Sequence, residues 1–252
     1  MGENIRDRYF DSLGYSHEYF DFKKPFPPGA DRLNYLTHAY RFLHDPYFVA
    51  GVAMPDWLRV VGKQYRARRS KAWSLREECK DPNSPKSRFY SGVVQHHDDD
   101  AWFHQTESFV LLSAYLAVEL RRLHGPEASV RSHFLGHIVI ELLLDHCLAA
   151  RNEDLIKSYY QTLDELDSSL IEECASQLVG QSIPQVWTWI VRFKEERFLF
   201  DYGDDERLLF RLNQVMRRVG LPPLGDEVLP WLANAWSLVE RASGELLCQW
   251  DP

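Results

Sequence analysis

Residues 127–152 read EASVRSHFLGHIVIELLLDHCLAARN, and this segment guides the interpretation of the whole chain. Apolar side chains occupy most positions around it, which predicts a helix at the centre of the molecule. His133, His137, Glu141 and Asp145 interrupt that apolar surface at intervals of four residues, so they form one polar stripe. Burying histidines and carboxylates is costly unless they are paired or bind a metal. The stripe therefore predicts either a metal site or an ordinary polar face turned to solvent or to another polar helix.

The segments on either side of this helix predict further helices. Apolar residues recur at three- and four-residue spacing, and we find no alternating strand pattern and no Asn-Gly hairpin signal. The predicted helices cover residues 31–44, 54–78, 88–124 with a break near 97–100, 127–152, 153–178, 185–198, 204–219 and 226–249. We therefore predict an all-α fold. Its parts are an N-terminal arm and connector at residues 1–30, a metal-binding helical core at 31–180, and C-terminal helices at 181–252 packed on that core.

A second polar stripe lies in the segment HHDDDAWFH, residues 96–104. On a helix, His96, Asp100 and His104 fall on one face, and imidazole and carboxylate ligands at that spacing suit a divalent ion. The adjacent His97-Asp98 pair also fits the minimal His-Asp signature of metal phosphohydrolases. The alternative is an acidic helix start with exposed histidines, because aspartates are favoured as helix caps.

Two isolated residues complete the candidate site. His38 lies on the first periodic helix, and Asp56 follows a Met-Pro pair at a predicted helix start. Each has an ordinary structural explanation, as a packed histidine and as a helix-start carboxylate respectively. Together with two stripes on separate helices, they favour a metal site of the kind that helical bundles build from facing helices. Such mixed ligands suit manganese, iron, zinc or, less well, magnesium.

Composition narrows the class of protein. The 252 residues carry a formal net charge of −8, which argues against a generic nucleic-acid binder. The four cysteines form no CxxC pair, which argues against a zinc ribbon or a disulfide scaffold. Charged residues interrupt the apolar stretches, so we expect no membrane span, and the first ten residues lack the apolar core of a signal peptide. We expect a cytoplasmic enzyme with reduced thiols.

The order of four short motifs resembles the acyl carrier protein phosphodiesterase family, a divergent branch of the HD-type metal phosphohydrolases. The family's Asn-Phe-Leu-Ala-His is similar to residues 34–38, Asn-Tyr-Leu-Thr-His, and its Gly-Asn-Leu-Leu-Ala-Asp-Phe to residues 51–57, Gly-Val-Ala-Met-Pro-Asp-Trp. Its Gly-Ile segment leading to His-Arg-x-Ile-Asp is similar to residues 92–100. Its Asp-x-x-x-Asp-His-Phe-Leu is similar to residues 141–148, Glu-Leu-Leu-Leu-Asp-His-Cys-Leu. The resemblance covers residues 34–151.

The chain departs from the family pattern at four places. His97 replaces the family arginine, and Val52 replaces the asparagine of the second motif. Phe103 and His104 replace a Thr-Asp pair, and Glu141 replaces the first aspartate of the last motif. Metal-ligand residue types survive these changes, whereas the arginine expected to contact phosphate or a partner does not.

The resemblance implies an HD-like helical bundle, a manganese-type ion and hydrolysis of the phosphodiester that joins phosphopantetheine to acyl carrier protein. The expected substrate is therefore a phosphorylated small molecule or acyl carrier protein, with no nucleic acid and no membrane as partner. We expect catalytic roles for Asp100, Glu141 and His146. The expected metal ligands are His38, Asp56, His96, His104, His137 and Asp145. A basic stretch from Arg59 to Arg76 would meet the phosphate or an acidic partner, with Lys63, Arg66 and His97 as the candidate contacts.

Three alternatives remain open. The first is a nucleotide phosphohydrolase of the same HD-like class. The second is a non-catalytic helical binding protein whose polar stripes form a partner surface. The third is a metal-binding helical protein with oxidase or oxygenase chemistry. The Glu-x-x-His motif of di-iron bundles is missing, because Leu144 stands three residues after Glu141. Five tryptophans after residue 180 favour core packing or a homodimer interface.

Overall fold

The all-α prediction is confirmed. The computed structural model describes residues 34–124, 129–183 and 185–247, and this part of the chain contains helices and no β-strand. The predicted arm and connector at residues 1–30 lie outside the described residues. The α-helices are α1 Tyr35–Ala39, α2 Pro46–Val61, α3 Arg69–Glu77, α4 Pro85–Phe103, α5 Glu107–His124, α6 Ser129–Arg151, α7 Leu155–Asp164, α8 Ser168–Val179, α9 Val186–Glu196, α10 Asp205–Val219 and α11 Leu229–Leu246. Short 3-10 helices cover Tyr40–Phe42, Phe198–Gly203 and Asp226–Val228.

Helix α6 lies at the centre of the packing, as its apolar sequence predicts. It packs mainly against α5 and α11 and also contacts α1 and α7. Within the described residues, the segment Arg131–Arg151 is the one helix long and apolar enough to cross a membrane, so the expectation that no such stretch exists was too strong. Its most apolar window is 83% buried inside the protein, as in the core helix of a globular domain.

Helices α2 and α4 make the closest backbone approach that bears on the candidate site. A Cβ atom placed on Gly51 would lie 2.0 Å from the carbonyl oxygen of Phe89. One placed on Gly92 would lie 2.2 Å from the carbonyl oxygen of Phe48. The two glycines therefore let the helices touch along their backbones, which no larger side chain would permit. This contact fixes the relation between the polar residues farther along both helices.

Several predicted helix boundaries were wrong. The predicted helix at residues 54–78 is two helices, α2 and α3, and the predicted helix at 31–44 is the short α1 followed by a 3-10 turn. Two further boundaries have a local reason. Helix α2 begins at Pro46 instead of near residue 54, because Asp45 caps it by accepting a hydrogen bond from the backbone N–H of Phe48. Pro55 therefore lies inside the helix. Helix α4 continues through residues 97–100, where we expected a break, and the chain leaves it only at His104.

The predicted helix at residues 153–178 is two helices. Asp167 begins α8 by accepting a hydrogen bond from the backbone N–H of Leu170. Gly180 ends α8 with a φ of 80°, a left-handed conformation that glycine adopts without strain. Helix α9 then packs against α2 and α8, and the described residues all belong to one compact unit.

Candidate metal centre

Four helices bring polar side chains into the interior. Helix α1 contacts α2, α4 and α6, so residues distant in sequence meet at this junction. The buried side chains that could ionise there are His38, Asp56, His96, Asp99, Asp100, His137, Glu141 and Asp145. Such a concentration in an apolar core requires pairing or a ligand, because each uncompensated charge costs several kcal/mol. Of the first predicted stripe, His133 alone is exposed, so the solvent-facing alternative was wrong for the other three members.

The first histidine group consists of His38, His96 and Asp100, contributed by α1 and α4. The Nε2 atom of His38 lies 3.5 Å from Asp100 Oδ1, and that of His96 lies 3.4 Å from Asp100 Oδ2. The imidazole centroids are 4.6 Å apart, and all three side chains are buried. Each residue offers one ligand atom, and these atoms lie within 4.8 Å of one another, so the group could hold a metal ion.

Asp99 orients His38, a member of the first histidine group, by contacting its Nδ1 atom. Its Oδ2 atom lies 3.1 Å from His38 Nδ1, and its Oδ1 atom accepts a hydrogen bond from the Gln95 side chain at 2.6 Å. This carboxylate–imidazole contact turns the Nε2 side of His38 towards Asp100, which is the usual support for a metal-ligating histidine. Asp99 was not among the predicted site residues, because an aspartate in this acidic run is also explained as a helix cap. The spacing of four residues from Gln95 was the available signal.

The two aspartates also set the charge of His38. Burial lowers the pKa of His38, but hydrogen bonds and charge from Asp100 and Asp99 outweigh it and raise the pKa to about 10. Asp99 and Asp100 therefore surround an imidazolium. A divalent cation bound by the first histidine group would displace the proton from His38 Nε2, because a ligating histidine must be neutral.

Asp56 lies within electrostatic range of this group. Burial raises the pKa of the Asp56 carboxyl well above its usual range. The positive charge of Arg59 opposes this shift, and the negative charges of Asp100 and Glu141 add to it. Its Oδ1 atom is buried and has no hydrogen-bond partner among the described residues. A buried carboxyl oxygen without a partner inside a junction of histidines and carboxylates is typical of a functional site.

The second histidine group consists of His104, His137 and Glu141. The Nε2 atoms of both histidines lie 2.9 Å from the same carboxylate oxygen, Glu141 Oε1. The two imidazoles stack with centroids 4.6 Å apart. Burial favours the neutral form of Glu141, but the two histidines outweigh burial and hold the pKa of this carboxyl well below its usual range. This group could also hold a metal ion.

Asp145, a predicted metal ligand, lies outside both histidine groups. Its Oδ2 atom accepts a hydrogen bond from the backbone N–H of Leu36 at 3.0 Å, and its Oδ1 atom accepts from the Thr37 N–H at 2.7 Å and hydroxyl at 2.6 Å. These N–H groups belong to the first turn of α1, where the preceding Asn34 supplies no side-chain cap. Asp145 therefore caps α1 from another helix and positions the neighbouring His38. Burial raises its pKa to about 6 despite those hydrogen bonds.

His146, a predicted catalytic residue, faces away from both groups. Its ring lies 4.5 Å from that of Trp236, and its imidazole fills the space that a side chain on Gly203 would occupy. Burial lowers the pKa of this half-buried histidine. Adjacent helix positions diverge by about 100°, so His146 and Asp145 point in different directions.

The predicted substrate contacts lie on or near the surface. Lys63 and Arg66 are exposed, and Arg66 lines a cavity of about 600 Å³ that also includes Arg68 and Lys71. His97 is partly buried, with its Nε2 atom 2.7 Å from the carbonyl oxygen of Ala67.

The His97-Asp98 pair is not part of either histidine group. Asp98 is instead bound at the surface by Arg69, at 2.6 Å. Within the described residues, the metal-ligand geometry belongs to the residues on either side of the pair, His96 and Asp100.

Six of the predicted site residues thus converge in two groups that could hold metal ions, and Asp56 lies within electrostatic range of both. Comparisons of the chain with models of protein families, with curated proteins and with solved structures gave no match.

Proposed function

We propose that this protein is a metal-dependent hydrolase of a phosphodiester or phosphoester, acting at the first histidine group. The observation that carries the proposal is the buried set His38, His96 and Asp100, with the unpartnered Asp56 carboxyl oxygen in their electrostatic neighbourhood. Apolar packing does not require this combination, since burying these groups costs free energy that only mutual pairing or a bound ligand offsets.

The motif order supports an HD-like identity for the helical core. The first motif ends at His38, the second contains Asp56, and the third contains His96 and Asp100. These residues are all buried at the junction of α1, α2 and α4. The departures from the family pattern do not remove any of these four residues. We therefore favour the resemblance to the acyl carrier protein phosphodiesterases over a non-catalytic helical binding protein.

A divalent ion held by the first histidine group, with manganese preferred for this donor set, would lower the pKa of a bound water and neutralise phosphoryl oxygens. In our proposal the chain supplies the proton transfer and the orientation. Asp56 accepts the proton of the attacking water at its unpartnered oxygen while the water oxygen bonds to phosphorus. The P–O bond to the leaving alcohol breaks in the same displacement, and Asp56 gives the proton to the leaving oxygen. Arg59, close enough to lower the pKa of Asp56, pairs with the phosphate. Asp99 keeps His38 in its ligating orientation.

The surface charge supports our choice of substrate class. The exposed cations of Arg66, Arg68 and Lys71 lie on a chain whose net charge is −8, so this local basic surface favours an acidic partner such as acyl carrier protein. Cys79, Cys147 and Cys174 are free thiols in the described part of the chain. We accordingly place the proposed activity in the cytoplasm, where thiols remain reduced.

The test is hydrolysis of holo acyl carrier protein and of bis(p-nitrophenyl) phosphate in the presence of Mn²⁺. We expect Asp56→Asn to lower the rate by about a hundredfold to ten-thousandfold with the metal retained, as for loss of a general base. His96→Gln should lose the ion of the first histidine group together with the activity. His133→Gln, an exposed change on α6, is the control and should leave the rate unchanged.

Two results would contradict this proposal. One is a wild-type protein that binds no metal and hydrolyses neither substrate, which would favour the binding-protein alternative. The other is full activity in Asp56→Asn. If the protein hydrolysed nucleotides but not acyl carrier protein, the proposal of a metal-dependent hydrolase would stand. The substrate would then be that of an HD-like nucleotide phosphohydrolase.

A further inference from the structure

The second histidine group is not used by the proposed reaction, yet its members converge as ligands do. Glu141 is fully buried, at 0% side-chain exposure, and the His104 and His137 side chains are 12% and 4% exposed. Their Nε2 atoms both lie 2.9 Å from one oxygen, Glu141 Oε1. The Nδ1 atom of His104 is buried and has no hydrogen-bond partner among the described residues. Two imidazoles and one carboxylate that meet in this way form a three-ligand set of the kind that binds transition metals.

The surrounding side chains hold the two imidazoles in place. The ring of Phe109 lies 4.9 Å from the His104 ring and 4.9 Å from the His137 ring. Phe103 packs 5.3 Å from His104 and 4.6 Å from Phe109. This apolar frame limits the rotation of both histidines and excludes water from one side. A metal site with ligands already in place needs less reorganisation to bind an ion.

Sequence spacing places the second histidine group beside the first. His137 and Glu141 lie four residues apart on α6, so they share one face. His104 follows Asp100 by four residues, at the end of α4, so the two groups are about one helical turn apart. Asp56 is electrostatically close to members of both groups, Asp100 and Glu141.

We infer that His104, His137 and Glu141 bind a second divalent transition-metal ion, separate from the ion of the proposed hydrolytic site. Two imidazoles and one carboxylate are a donor set that suits zinc, manganese or iron(II) and does not suit calcium. The second site uses neither His38 nor Asp100, so it does not depend on the hydrolytic proposal. The protein would then hold about two ions per chain, in neighbouring sites.

The experiment measures metal content on the full-length chain, purified without a histidine tag, loaded separately with Mn²⁺ and Zn²⁺ and freed of excess ion. The wild type should hold about two ions per chain, and His137→Gln and His96→Gln about one each. The double variant should hold essentially none. His133→Gln, one turn before His137 and exposed, is the matched control and should keep both ions.

Folding is checked by circular dichroism on each variant. Glu141→Gln keeps the shape of the side chain and serves as a second variant if His137→Gln does not fold. Calorimetric titration of the metal-free wild type counts the ions without any variant and should give about two.

The inference is overturned if the wild type binds one ion that only His96→Gln removes, an outcome that leaves the hydrolytic proposal standing. It is also overturned if folded His137→Gln keeps both ions. If His137→Gln loses one of two ions and the wild type hydrolyses no phosphoester, the second site is supported and the proposed function fails.

Discussion

At the scale of single residues, Asp145 shows that a buried carboxylate can serve the backbone while resembling a metal ligand in sequence. Both of its oxygens accept hydrogen bonds from the first turn of α1. We expect Asp145→Asn to lower the free energy of unfolding by about 1–3 kcal/mol, because the amide nitrogen would face an N–H of Leu36 or Thr37. Urea denaturation measures this cost.

The matched control for this change is Asp167→Asn at the start of α8. Asp167 is exposed and accepts one hydrogen bond through Oδ1, and asparagine caps helices about as well as aspartate. We expect it to change stability by less than about 0.5 kcal/mol. Equal costs for the two substitutions would contradict the role assigned to Asp145.

Much of the candidate site could be predicted from the spacing of residues alone. What such a prediction leaves out is set by helix geometry and by the packing of helices. A separation of four residues places His96 with Asp100 and His137 with Glu141 on common helix faces. Each further step rotates the face by about 40°, so Asp145 turns towards α1 instead of the second histidine group. Which helices face one another depends on tertiary packing, which the spacing of residues within one helix does not specify. For that reason the sequence predicted one polar centre where the structure has two groups.

At the scale of helices, the contact between α2 and α4 positions Asp56 relative to the first histidine group. A methyl group on Gly51 would lie 2.0 Å from the Phe89 carbonyl oxygen, which is backbone and cannot move aside cheaply. We expect Gly51→Ala to lower the free energy of unfolding by about 1–3 kcal/mol through overpacking, and to lower the hydrolysis rate by shifting Asp56 relative to His96. Chemical denaturation and the phosphodiester assay measure the two effects.

Gly244→Ala is the matched control at this scale. Gly244 lies in α11, is exposed, and has no atom within 4 Å of a Cβ placed on it. Alanine should therefore raise stability by about 0.5–1 kcal/mol through its higher helix propensity. If both substitutions stabilised the protein, the close contact between α2 and α4 would be wrong.

Helices were easier to predict than their ends. The apolar periodicity of residues 127–152 and 204–219 predicted α6 and α10 nearly to their bounds. The errors arose where local signals compete, as at Pro55, which resembles a helix start but lies within α2 because the Asp45 cap begins the helix earlier. The acidic run at 98–100 resembled a break, yet buried contacts of Asp99 and Asp100 keep α4 continuous.

At the scale of the whole molecule, the two histidine groups link segments that lie far apart in the chain. The candidate ligands run from His38 on α1 to Glu141 on α6, so an ion bound there would be held by the folded state and only weakly by the unfolded chain. At a free ion concentration of about 100 times Kd, each site should add about 2.7 kcal/mol to the free energy of unfolding. For a domain of this size that corresponds to a Tm increase of roughly 5–10 °C per site.

Differential scanning calorimetry in Mn²⁺ and in a chelator measures this change. Ca²⁺ at the same ionic strength is the control, because it prefers six to eight oxygen ligands and gains little from imidazole. We expect a clear increase in Tm with Mn²⁺ and a small one with Ca²⁺. An equal shift with both ions would indicate binding to surface carboxylates, and no shift with Mn²⁺ would mean that the buried histidines and carboxylates pair only with one another.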